Sequence, residues 1–141
     1  ETERLRLQYW QRYNELAIAD DAFSRVMSPH KPSKDHWTNI SIGSSDYHLA
    51  LTTYTNEDKI GIEFYVKEDQ NIGKAVHSHA ERIAEILGAE PVPFMATKAS
   101  GIRFFKKGCN FKKHPEKWDE YIQWQLDAAV KLRREILNLN L

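Results

Sequence analysis

A chain of 141 residues in which 20 Lys and Arg are balanced by 20 Asp and Glu has zero formal net charge, which disfavours wholesale electrostatic attraction to nucleic acid or to a membrane surface and leaves polyanion binding to a local patch. Its length suits one domain, large enough to bury roughly two thirds of its unfolded surface without staples. A single cysteine, Cys109, excludes an internal disulfide framework, and no apolar stretch nears the roughly 20 residues of a membrane span, so no membrane partner is expected and a cytoplasmic setting is. The chain opens on Glu1 rather than Met and is expected to be one domain over 1–141, excised from or forming the C-terminal part of a longer protein.

Leu5, Tyr9, Tyr13, Leu16 and Ala17 fall on one helical stripe with Trp10 beside it, which predicts an amphipathic helix from Glu1 to about Ala19. Asp20-Asp21 interrupts the pattern, and Ala22 to Met27 has room for one more turn before Ser28-Pro29. Ser28 to Asp35 reads as a loop. From Trp37 to Lys67 the residues alternate with period two, predicting a three-stranded antiparallel meander turning at Ser44-Ser45 and Glu57-Asp58. Those turns set Ile40 opposite Leu49, Ile42 opposite Tyr47, Leu51 opposite Phe64 and Thr53 opposite Ile62.

Asp69 is the expected N-cap of one helix whose Ile72, Val76, Ala80, Ile83 and Leu87 line a face before Gly88 and Pro91 stop it. Pro91 to Lys107 reads as a short hairpin, with Val92, Phe94 and Met95 in its first strand and Ile102, Phe104 and Phe105 in its second. Pro115 then introduces a final helix carrying Trp118, Ile122, Leu126, Ala129, Leu132 and Ile136 on one side, with Trp124 elsewhere. Strands grouped between helices give an α+β class: a three-stranded meander plus a short hairpin, packed by N-terminal, central and C-terminal helices.

Side chains alternate across a strand, so if Ile40, Leu49, Leu51, Ile62 and Phe64 face a core, the opposite face carries Trp37, Asn39, Ser41, His48, Thr52, Tyr54, Glu63, Tyr65 and Lys67. Aromatic, hydroxyl and ionisable groups gathered on an exposed face exceed what solubility requires, and this face is the leading candidate site. A second candidate is the basic run of Lys98, Arg103, Lys106, Lys107, Lys112, Lys113 and Lys117, interleaved with Phe104, Phe105 and Phe111. Such a run can neutralise phosphates and stack bases; its bland reading is a solvated loop with core phenylalanines.

Catalytic motifs fail on spacing. His77 and His79, two apart on a helix, point to different sides and cannot chelate one ion. Cys109 has only His114 as a conceivable base and no CxxC partner. The scattered glycines form neither GxGxxG nor a Walker loop. Glu57-Asp58-Lys59, with Asp46 as a further acid, has the order of a metal-dependent nuclease site but reads as turn chemistry. No catalytic residue, metal or cofactor is expected.

Leu7-Gln8-Tyr9-Trp10, His36-Trp37, Ser41-Ile42-Gly43, Tyr47-His48-Leu49, Gly61-Ile62-Glu63-Phe64-Tyr65 and Lys98-Ala99-Ser100-Gly101-Ile102 carry, in order and spacing, a resemblance to the prokaryotic domain-of-unknown-function 4268 family. The pattern departs at Gly101, where a bulkier or basic residue is expected. The resemblance implies a domain often C-terminal to a nuclease-like domain of the restriction-endonuclease type. It therefore implies a non-catalytic accessory module of a nuclease-like or phage-defence protein, binding DNA or RNA, with a nuclease-like domain of the same chain as partner. The alternatives are a protein-interaction module using the aromatic face and an enzyme using His48 and Glu63 as an acid/base pair.

Overall fold

The computed structural model describes residues 1–141. All five strands join one antiparallel sheet in the order β1-β2-β3-β5-β4, with β1 at Trp37–Ile40, β2 at Tyr47–Thr53, β3 at Lys59–Val66, β4 at Glu90–Met95 and β5 at Ser100–Lys107. The hairpin β4–β5 is thus no separate unit: β5 pairs with β3 along its whole length, from Lys59 opposite Lys107 to Val66 opposite Ser100.

Helices α1 (Thr2–Ala19), α2 (Asp21–Ser24), α3 (Gln70–His77), α4 (Ala80–Leu87) and α5 (Trp118–Asn138) pack on one side of this sheet and on one another. Ile40, Leu49, Leu51, Ile62, Phe64, Ile102 and Phe104 point into that layer and are fully buried. The sheet's other face has no helix over it, the arrangement that antiparallel sheets tolerate and parallel ones rarely do. No helix is long and apolar enough to cross a membrane.

The strand register departs from the turn-based expectation by two residues between β2 and β3. Leu51 faces Ile62 rather than Phe64, and Thr53 faces Ile60 rather than Ile62. The connection is a five-residue loop from Tyr54 to Asp58 instead of a two-residue turn, because Asp58 is held by the segment following β5: its carbonyl accepts from Gly108 N at 2.8 Å and its carboxylate from Asn110 Nδ2 at 2.6 Å. Glu57-Asp58-Lys59 is therefore a structural clasp, with Lys59 paired to Glu57 at 2.7 Å. Between β1 and β2, Ile40 does face Leu49, but the strands stop there, and Ile42 lies in a loop with left-handed Gly43 instead of pairing with Tyr47.

The central helix is broken in two. Ser78 turns its hydroxyl back onto the carbonyl of Ala75 at 2.7 Å and His79 leaves helical geometry, so α3 ends at His77 and α4 begins at Ala80. Asp69 caps α3 by accepting from Asn71 N, and left-handed Gly88 ends α4. Trp10, expected beside the apolar stripe of α1, is fully buried and donates its indole N–H to Asp35 O at 2.8 Å.

One polar side chain crosses the core. Gln125, on the buried side of α5, accepts from Tyr9 Oη at 2.7 Å and donates to the carbonyls of Thr52 and Gly61 at 3.1 and 3.2 Å. Both terminal helices are thereby tied to the centre of the sheet.

The edges differ. Ala96 N donates to Ala99 O, so by alternation the odd residues of β4 turn their backbone groups outward, and two of those, Pro91 and Pro93, have no N–H. At the other edge, Thr53 N donates to His36 O, which leaves Trp37 and Asn39 presenting their backbone outward.

Candidate functional site

The strand register aligns the open face in cross-strand rows. Trp37, Thr52, Gly61 and Phe105 form one; Asn39, Ala50, Glu63, Arg103 and Val92 the next; His48, Tyr65, Gly101 and Phe94 the third. Small residues, Thr52 with Gly61, Ala50 and Gly101, break each row, and large ones stand beside them. A Cβ on Gly61 would sit 2.5 Å from Thr52 Oγ1, so glycine there gives the Thr52 side chain its room. The result is a cleft of about 410 Å³, within the range of small-ligand sites, floored by Ala50 and Thr52 and walled by Trp37, Tyr54, His48 and Tyr65.

Glu63 and Arg103 lie opposite each other on β3 and β5 at the base of this cleft. Glu63 Oε1 is 3.4 Å from Arg103 Nε, long for a charge-assisted hydrogen bond, and the Glu63 side chain is only 13% exposed. Burial raises the Glu63 carboxyl above its ordinary value, and the attraction of Arg103 offsets only part of that. The Arg103 guanidinium rests on the Phe94 ring at 4.3 Å. His48 stacks on Tyr65 with ring centres 5.2 Å apart, and burial, with Lys67 and His30 nearby, lowers its pKa, so its ring is neutral at pH 7. At the far end Lys59 lies over Phe105 and Tyr54, at 4.0 and 5.0 Å from their ring centres.

Of the residues singled out from the sequence, Trp37, Asn39, His48, Glu63 and Tyr65 line this cleft together. Ser41 and Lys67 lie beyond β1 and β3 and line an adjoining cleft that shares Asn39 and His48; there Ser41 Oγ is 3.4 Å from His30 Nε2. His48 and Glu63 share the cleft but make no hydrogen bond to each other.

The basic run is divided by the sheet. Arg103 lines the cleft. Lys107 shares its face but is paired with Glu90 at 2.9 Å, whereas Lys106 turns to the helix side toward Trp124. Lys98 is at the β4–β5 tip, Lys112 reaches Thr2 at the start of α1, and Lys113 sits in a turn held by Asn110. The run does not form one surface with the cleft.

Sequence reasoning placed Arg103 and Phe105 in that run and not beside Glu63 and Lys59, and it missed His36, Ala50 and Phe94. The alternation of Ile102 and Phe104 with Arg103 and Phe105 was the available signal, once β5 is taken to pair with β3. Elsewhere, His77 Nε2 meets the carbonyl of Gly101 at 2.6 Å, and Cys109 is buried with its thiol pKa raised, chiefly by burial. His114 pairs with Glu116 at 3.1 Å.

Gly101 has a local cause: a Cβ there would come 2.0 Å from Phe64 O. No curated protein and no solved structure matches the chain. The model of the family described as "Domain of unknown function (DUF4268)" matches residues 5–139, nearly the whole chain, and the protein belongs to that family.

Proposed function

We propose that the domain is a non-catalytic module that holds an unpaired base of a single-stranded nucleic acid in the open sheet face, in the service of a nuclease-like or defence protein. The observation that supports this reading is the cleft itself: a floor of small residues between aromatic walls, with a carboxylate and a guanidinium at its base. Aromatic platforms on a sheet stack single-stranded bases, while duplex bases are already stacked on one another. Zero net charge and a divided basic run fit recognition by stacking and hydrogen bonding better than phosphate tracking.

The test is a titration of labelled single strands and of the matching duplex at two salt concentrations. Single strands should bind with a shallow salt slope and the duplex much more weakly. Trp37, 41% exposed, can be removed without opening the core, and Trp37→Ala should weaken binding by about 1–3 kcal/mol, the usual worth of one stacked base. Lys112→Glu with Lys113→Glu, remote from the cleft, should change little. Equal binding of duplex and single strand, or indifference to Trp37→Ala, would turn the reading toward a protein partner on the aromatic face.

A further inference from the structure

Building on the base-binding reading of the sheet face, we propose that the base taken by the cleft is guanine, read by Glu63 and Arg103 together. An ionised carboxylate only accepts hydrogen bonds and a guanidinium only donates them. The two stand side by side on paired positions of β3 and β5. Their closest approach is Arg103 Nε to Glu63 Oε1, at 3.4 Å. The terminal nitrogens of Arg103 make no hydrogen bond within the protein, and the guanidinium lies over the Phe94 ring at 4.3 Å. The cleft thus presents adjacent acceptors followed by adjacent donors.

Among the bases only guanine offers the complement in one continuous edge: N2–H and N1–H as donors, then O6 and N7 as acceptors. Adenine has a single donor group flanked by acceptors, so one of its ring nitrogens would face Glu63 unpaired. Uracil sets one donor between two acceptors, and cytosine gives Glu63 one amino group only. A bidentate match at this edge discriminates by about 1–3 kcal/mol, on the order of 10- to 100-fold.

The adjoining cleft, about 220 Å³, extends the assignment from base to nucleotide. It is lined by His30, Asn39, Ser41, Ser44, His48 and Lys67, among others, with no carboxylate, and it meets the base cleft at Asn39 and His48. Hydroxyl, amide, imidazole and ammonium donors gathered without an acid suit a phosphate.

The experiment titrates the chain with labelled nine-residue oligouridines carrying G, A, C or U at the centre, and with the same strand carrying inosine or 7-deazaguanine there. Central guanine should bind on the order of 10- to 100-fold more tightly than the other three bases. Inosine, lacking the N2 amino group, and 7-deazaguanine, lacking N7, should each lose part of that preference. Glu63→Gln should abolish the preference for a central guanine. Equal affinity for all four central bases overturns the guanine assignment and leaves base binding standing, whereas no binding to any strand overturns both. A guanine preference untouched by Glu63→Gln and by both analogues removes the assigned contacts even though guanine is favoured.

Discussion

At neutral pH the Glu63 carboxyl carries a charge that its surroundings oppose. Its folded pKa is raised by burial, so the stabilising contribution of its protonated form is fully present below the unfolded value, about 4.3, and is lost as pH rises through the folded pKa. Glu63→Gln, neutral throughout, should therefore match the wild type near pH 3.5 and exceed it in stability at pH 7, as measured by urea unfolding at the two values. A loss at pH 7 instead would mean that the pull of Arg103 outweighs burial. Two tyrosines of α1 give a second residue-scale contrast. Tyr9 donates to Gln125, whereas the Tyr13 hydroxyl is buried without a partner. Tyr9→Phe should destabilise by about 1–3 kcal/mol, and Tyr13→Phe should be neutral or stabilising, by the same denaturant midpoints.

At the scale of elements, β3 and β5 approach too closely at Gly101 for any side chain. Gly101→Ala should force the pair apart at Phe64 and at the His77 contact, lowering the melting temperature by several degrees and weakening amide protection in β5. How much was legible in the sequence follows from periodicity. Period-two alternation assigned Leu49 and Phe64 to the core and His48 and Glu63 to the open face, and those faces stand. It could not fix the β2–β3 register, because a shift of two residues preserves every face. What distinguishes the registers is long-range: Asp58 held by Gly108 and Asn110, and Gln125 reaching the carbonyls of Thr52 and Gly61. The break between α3 and α4 was hidden for a related reason, since Ile72, Val76, Ile83 and Leu87 keep helical phase across it. Half of the candidate site was legible because it lay on contiguous strands. Arg103 and Phe94 were not, because their place depends on a pairing between strands more than thirty residues apart in sequence.

At the scale of the whole molecule, one side of the sheet is sealed by helices and the other has no helix over it. Tyr9, Trp10, Phe111 and Trp118 pack edge-on or stacked where α1 meets α5, and Arg12 grips Asp119 through two 2.7 Å bonds at the rim. The two prolines of β4 bear on how copies of this chain can meet. Open-ended strand stacking needs two adhesive borders, one to receive and one to offer. Here the β4 border is muted by Pro91 and Pro93, leaving only the short border at Trp37 and Asn39. Pairing through β1 would join two copies about a two-fold axis and then stop. Replacing both prolines by valine should restore the second border, and concentrated samples of that variant should scatter light increasingly with time while the wild type stays clear. The same two residues that shorten the list of backbone donors at one border are thus the ones whose replacement turns a sheet that can pair once into a sheet that can pair without end.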